Sequence, residues 1–464
     1  MKNRYFKLPT AYTILLIITI IIAIITQFIY GVKPAKFSDV IMAPINGLKD
    51  AIDISLYVLL IGGFLGVVTK TGALDAAIGS VVKRLNGKEL VLIPILMFIF
   101  SLGGTSYGMA EETLAFYALI TATMMAAGFD SLTAVATIAL GAGSGVLGST
   151  VNPFLVSTSI DSLNKVKIVA NEAIVIGMGV VLWLSSLIIS MVFVVNYARK
   201  VKNDKNESLL SEIEYKNAKE TFIDNNEDTI EFTTKRKIIV GLFAISFIVM
   251  ILGVIPWDRF GIFIFKNTSF LTGEPLGSWW FSQLAAWFGL MAIIIGIVYG
   301  FNEKEIVSYI IEGASEMVGV AIIIGISRGV SYIMAQTNLD VYVLNKVSTS
   351  LIGMSPILFI NIVFLIYIAL AFLIPSTSGL ASLSVPIFGP IAQTFGVSPE
   401  IIISVLSAGS GLVNLITPTS GVIMGGLAIA KVEYTTWVRF VSKVVICIYI
   451  SSVIILSVGM MFLN

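Results

Sequence analysis

The sequence predicts an all-α polytopic membrane protein built from two inverted repeats, each with a re-entrant hairpin and a broken transmembrane helix. Three observations predict it. Of the 464 residues, 57% are apolar and only 12% charged, with a mean hydropathy of +0.96, whereas a soluble domain carries about 25% charged residues. Several stretches reach the roughly 20 apolar residues that span a hydrocarbon core, beginning with AYTILLIITIIIAIITQFIYG at 11–31. A Gly-rich string, GAGSGVLGSTVNP at 141–153, returns as SAGSGLVNLITPT at 407–419, and such self-similarity marks duplicated halves.

Composition also excludes several functions. The chain has no histidine and one cysteine, Cys447, which removes Ser-His-Asp and Cys-His catalysis, HExxH zinc chemistry and a disulfide framework. Walker A and strand-linked GxGxxG signatures are absent, and a net charge of +1 gives no case for a nucleic-acid partner. What remains is a carrier driven by gradients or exchange, with no cofactor, no resident metal and a proton or sodium ion left open as coupling ion. Its expected partners are a small solute and the lipid bilayer.

Charge flanks set the topology, because short cytoplasmic loops concentrate Lys and Arg. Lys2, Arg4 and Lys7 place the N-terminus in the cytoplasm. The apolar run at 11–31 is too long for a signal-peptide core and lacks a cleavage site, so it reads as a true span. A second span at 53–69 leads to DAAIGSVVKRLNG at 75–87, with Lys83 and Arg84, which reads as an amphipathic surface segment. The first repeat covers 1–200 and ends at the cluster Arg199–Lys202. The polar stretch 201–236 reads as a cytoplasmic linker, and 237–256 as an extra crossing. That crossing makes the second repeat, 257–464, enter from the opposite side, and leaves the C-terminus outside a cell membrane. Trp257, Trp279 and Trp280 mark the interfacial belt between them.

Each repeat contains two apolar stretches joined by small polar residues, read as hairpins with tips at 103–109 (GGTSYGM) and 375–379 (PSTSG). Non-helical backbone at membrane depth must be buried in protein or line a cavity. The following helices begin at Asp130–Ser131 and Ser398–Glu400, and their breaks are expected within 141–153 and 407–421, at the AGSG strings. Freed peptide groups at four such interruptions form a ready site for a small charged solute. Further likeness appears where KTGALD at 70–75 corresponds to QTNLD at 336–340.

The candidate binding residues follow from this placement. Thr105 and Ser106 stand at the first tip, Ser376, Thr377 and Ser378 at the second, and Ser144, Asn152, Ser410, Asn414, Thr417 and Thr419 in the breaks. Back-bonding to a helix carbonyl is the ordinary role of each hydroxyl taken singly, so only the cluster carries the expectation. Glu111 and Glu112 follow the first tip. A carboxylate at the bilayer centre costs about 2.5–3.5 kcal/mol on insertion scales. Stabilisation of a helix N-terminus is the alternative role for either acid. On an α-helix the two would point about 100° apart and not share a cavity. Arg328 is the other embedded charge, available either to a substrate carboxylate or to a hairpin Glu.

The strings GMAEETLAFYALI with GAGSGVLGSTVNPF, and IPSTSGLASLSVPI with SAGSGLVNLITPTSG, resemble the YfcC group. That group sits with the DcuC-type anaerobic C4-dicarboxylate carriers in the wider ion transporter superfamily. The resemblance implies a homodimer with scaffold and transport domains, hairpins and broken helices holding the substrate, and an elevator mechanism. It implies antiport of basic amino acids such as arginine and ornithine, with proton- or sodium-coupled carriage of C4-dicarboxylates or other organic anions as the alternative.

Overall fold

The computed structural model describes residues 11–463 apart from 75, 78, 79, 81–87, 224–230, 256, 352 and 375. Lys2, Arg4, Lys7, most of the expected surface segment with Lys83 and Arg84, Pro375 of the second tip and Asn464 therefore lie outside the described residues. Among those described, every regular element is helical, and eight helices are long and apolar enough to cross a membrane.

In the first half, α1 (Ala11–Ile25), α2 (Phe37–Asp50) and α3 (Ile52–Lys70) precede a hairpin of α4 (Leu92–Tyr107) and α5 (Leu114–Ala126). An interrupted helix of α6 (Ser131–Leu147) and α7 (Thr158–Lys165) follows, then the long α8 (Glu172–Asn203). The connection contains α9 (Glu212–Phe222), and α10 (Thr234–Val254) separates the halves. The second half runs through α11 (Phe281–Tyr299), α12 (Glu303–Thr337), α13 (Leu339–Ser350) and a hairpin of α14 (Pro356–Leu373) and α15 (Thr377–Thr394). It closes with an interrupted helix of α16 (Pro399–Asn414) and α17 (Gly421–Ile429), and with α18 (Tyr434–Phe462).

The opening run differs from the expected 11–31 span. Its helix ends at Ile25, where Thr26 and Gln27 turn the chain and the Gln27 side-chain amide donates to the Ala35 carbonyl at 2.7 Å. Before the second span lies α2, which continues into α3 except for a break at Ala51 (φ −100°, ψ 16°). α12 lies along both. Small residues permit this approach: a Cβ on Gly47 would sit 2.2 Å from the Gly325 carbonyl oxygen. Phe64 of α3 stacks on Phe243 of α10 and meets Phe288 of α11 edge-on, which locks these helices into one apolar body. At one end of it Lys70 pairs with Glu312 at 2.8 Å.

The hairpins and interrupted helices pack on one another in a second body, in which α4, α6, α16 and α18 lie against α8. A helix of 32 residues is about 48 Å long at about 1.5 Å per residue. Asn171, at its start, donates its backbone N–H to the Glu400 carboxylate at 2.6 Å, at the head of α16. Tyr197, near its end, donates its hydroxyl to Asp130 at 2.5 Å, at the head of α6. The two interrupted helices thus start at opposite ends of α8 and cross midway. There Ser407 donates to the Leu147 carbonyl at 2.9 Å, and Gly411 lies so close that a Cβ would fall 2.4 Å from the Leu147 Cα.

The described part of the polar stretch, 201–223 and 231–236, is more ordered than a plain linker. Ser211 and Glu214 cap α9 reciprocally. The Glu214 carboxylate, buried at 3% exposure, also accepts from the Glu433 backbone at 2.8 Å and from the Thr436 hydroxyl at 3.1 Å. Glu214→Ala strands these two donors and the capping Ser211 N–H, so it should lower the unfolding free energy by about 1–3 kcal/mol. Thermal unfolding in detergent measures this, and substrate affinity should stay unchanged.

Candidate functional site

Four helix beginnings meet one cavity of about 340 Å³ between the two bodies. Each beginning leaves backbone N–H groups without a partner inside its own helix. The Asn152 side chain accepts from the Phe154 N–H at 3.0 Å, Ser376 from Gly379 at 3.2 Å and Ser420 from Ile423 at 3.4 Å. These three ends carry neutral caps and keep the partial positive charge of the helix dipole. The fourth, at the tip of the first hairpin, carries Glu111 and Glu112, and Glu112 accepts from the Ala110 N–H at 3.1 Å.

The interruptions fall within the expected stretches 141–153 and 407–421, but past the AGSG strings themselves. The AGSG strings at 142–145 and 408–411 are helical, lying in the last turns of α6 and α16, and the chain leaves the helix at 148–152 and 415–420. Their glycines serve packing: a Cβ on Gly145 would meet the Ser101 carbonyl oxygen at 2.1 Å, and Gly104 answers from α4. The Asn152-Pro153 and Thr417-Pro418 pairs fall at these breaks and keep Asn152 and Thr417 out of helical geometry, since the residue before a proline is driven from it. Similarly, Gly103–Tyr107 of the expected first tip are helical, and the turn is confined to 108–110.

Gly108 makes that turn in the left-handed region (φ +79°), and a Cβ there would fall 2.6 Å from the Asn152 side-chain amide. Gly108→Ala therefore combines backbone strain of about 1–2 kcal/mol with displacement of a capping residue. It should depress both unfolding temperature and transport, read by thermal shift and flux on the same preparation.

Of the candidate residues, Glu111, Glu112, Asn152, Arg328, Ser376, Thr377, Ser378, Asn414 and Thr419 line the cavity. Five do not. Thr105 donates to the Gly148 carbonyl at 2.7 Å and ties the hairpin to the break. Ser106 donates to the Leu102 carbonyl at 2.5 Å. Ser144 contacts Ser190 at 3.1 Å, and Ser410 lies behind Thr377 at 3.4 Å. Thr417 meets Thr419 at 2.7 Å, whose hydroxyl reaches the Phe372 carbonyl at 3.3 Å. Glu111 and Glu112 both line the cavity, against the expectation from α-helical geometry; they stand on a 3₁₀ turn at the hairpin tip and not on the flank of a helix.

Sequence reasoning missed Asp50 and Asp53, which bring two further carboxylates to the cavity from the α2–α3 break. Asp53 begins α3, a position its dipole favours, and accepts from Ser282 at 3.1 Å. Asp50 ends α2, where a negative charge opposes the dipole, so helix stability does not account for it. Among the described residues, Arg328 is the one cation lining the cavity. The ion pairs among the described residues are Lys70–Glu312, Lys202–Glu89 and Lys216–Glu220, so Arg328 is not paired with either hairpin Glu. Phe154, Trp280 and Phe281 add an aromatic wall, with the Phe154 and Trp280 rings 4.7 Å apart.

Half-helices whose ends converge on a central cavity inside an apolar body are the architecture of a membrane transporter. Over residues 31–461 the chain matches the C4-dicarboxylate anaerobic carriers, and it belongs to that family, DcuC. It is 32% identical over 423 residues to an uncharacterized protein of Haemophilus influenzae, covering 90% of this chain and 78% of that one. It is 25% identical over 423 residues to the "Putative basic amino acid antiporter YfcC" of Escherichia coli, covering 89% and 78%. Among solved structures it aligns with the Alcanivorax borkumensis YdaH transporter at a TM-score of 0.49 and 15% identity, over 98% of this chain and 99% of that one. It also aligns with Neisseria gonorrhoeae MtrF, presented as one of a class of antimetabolite efflux pumps, at 0.46 and 17% identity, over 99% and 96%.

Proposed function

We propose that the chain is an antiporter of cationic amino acids, of the arginine and ornithine type. The observation that carries this is the lining of the central cavity, where among the described residues Asp50, Asp53, Glu111 and Glu112 stand with the single cation Arg328. A basic amino acid has the complementary pattern of one carboxylate and two positive groups. Arg328 meets the carboxylate through its planar fork of donors, helped by the neutral helix ends at Asn152, Ser376 and Ser420. Glu111, with Asp50 and Asp53, meets the positive groups. A C4-dicarboxylate would bring two negative charges to this acidic surface with one guanidinium to receive them, and like charges in a poorly screened site repel. The name carried by the Escherichia coli relative agrees with the cationic reading.

Alternating access follows from the two bodies: in this proposal the halves are inverted repeats, and the hairpin body slides past the α2–α3 and α12 wall in a homodimer. The test is counterflow in proteoliposomes. Liposomes preloaded with ornithine should accumulate labelled arginine, and accumulation of labelled succinate with no arginine counterflow would overturn the assignment.

A further inference from the structure

A second cavity, of about 370 Å³, adjoins the first and shares Asp50, Arg328, Ser376 and Ser378 with it. Those four residues are the partition between the two spaces. Beyond the partition the cavity is bounded by Ser331 and Ala335 of α12, Asp340 of α13, and Ser382 and Leu383 of α15. Its charged residues are thus Asp50, Arg328 and Asp340.

Asp340 stands in the first turn of α13, where the helix dipole favours an acid, and it lines this cavity. It ends the QTNLD string, after α12 has turned through Asn338 in the left-handed region (φ +57°). Its side chain is only 5% exposed, and its donors among the described residues are backbone N–H groups alone, that of Val341 at 2.8 Å and its own. A carboxylate removed from water without a cationic partner is expensive. On the same cavity the Ser331 hydroxyl is buried with no hydrogen-bond partner among the described residues, another group whose desolvation goes uncompensated. Both line a space of amino-acid size whose remaining charge, Arg328, also faces the central cavity.

We infer that this second cavity is an entry subsite for the same cationic amino acid, with Asp340 receiving its positive side-chain group while Arg328 holds its carboxylate from the outer side. The inference rests on the cationic reading above. Passage inward then requires no release of the carboxylate: Arg328 stays engaged at the partition, and the positive group moves from Asp340 to the carboxylates of the central cavity. Because the subsite opens on one side of the partition, it serves entry from one membrane face only.

The experiment compares labelled arginine uptake into right-side-out and everted vesicles, each preloaded with ornithine. Asp340→Asn should raise KM roughly tenfold from one face, as expected on loss of a charge-assisted contact. Vmax should stay within about twofold, and KM from the other face should not change. Ser382→Trp, which narrows the same space without removing a charge, should raise KM from that same face. If wild-type counterflow is present and Asp340→Asn leaves both KM values alone or shifts them equally, the subsite is overturned while the antiport reading stands. Should Asp340→Asn fail to fold, an unchanged KM from both faces in Ser382→Trp overturns it equally. Absence of wild-type counterflow removes the cationic reading and the subsite with it.

Discussion

Arg328→Gln should cut arginine–ornithine counterflow by about a hundredfold or more while leaving the folded protein as stable as the wild type. Two facts set these opposite expectations. A guanidinium that lines the cavity and makes no direct ion pair among the described residues loses on removal only a longer-range attraction to Glu111, so the full penalty for breaking a buried contact pair does not arise. A substrate carboxylate deprived of its charged partner loses about 2–5 kcal/mol, which is at least an order of magnitude in affinity and more when transport needs the loaded state. Arg328→Lys should fall between the two, since an ammonium keeps the charge and lacks the bidentate fork. Binding by isothermal titration and unfolding by thermal shift read the two halves separately. A variant with reduced stability and unaltered binding would show Arg328 to be a structural group.

How much of this was legible in the sequence depends on what each signal measures. Hydropathy found α3, α8, α10 and α18 because they are apolar all along. It missed α2, FSDVIMAPINGLKD, whose Asp39, Asn46, Lys49 and Asp50 dilute the average and whose Pro44 argues against a helix. With it went Asp50 and Asp53. The signal was present in the comparison of halves: α12 is an unbroken 35 residues, and α3 alone is too short to match it. The AGSG strings were ambiguous, since glycine serves close packing as well as interruption, and the structure uses it for packing. The prolines at 153 and 418 were the sharper marks of the breaks. In the polar connection, Ser211 with Glu214 spelled a capping box that composition alone obscured. Which hydroxyls turn into the cavity, as Thr377 does and Thr105 does not, depends on the hand of each helix end and had no linear signature.

Glu111 and Glu112 should separate cleanly under substitution, because the tip uses them differently. Glu112 is 3% exposed and accepts from the Ala110 N–H at 3.1 Å, closing the turn that Gly108 begins. The Glu111 carboxylate makes no hydrogen bond to another residue among those described, and it lines the cavity across from Arg328. Glu111→Gln therefore removes a charge from the substrate's surroundings and no hydrogen bond to another residue from the fold. It should raise KM for arginine tenfold or more, on the scale of about 1.5–3 kcal/mol for a charged hydrogen bond, at unchanged unfolding temperature. Glu112→Ala exposes the Ala110 N–H to an apolar surround and should cost about 1–3 kcal/mol of stability, whereas Glu112→Gln retains an acceptor oxygen and should recover most of it. The discriminating measurement is the pair of ratios, KM and unfolding midpoint against wild type, for all three variants. Were Glu111→Gln to lower the midpoint with KM unmoved, the dipole of α5 and not a cationic substrate would be what Glu111 serves, and the acidic surplus of the cavity would rest on Asp50 and Asp53 alone.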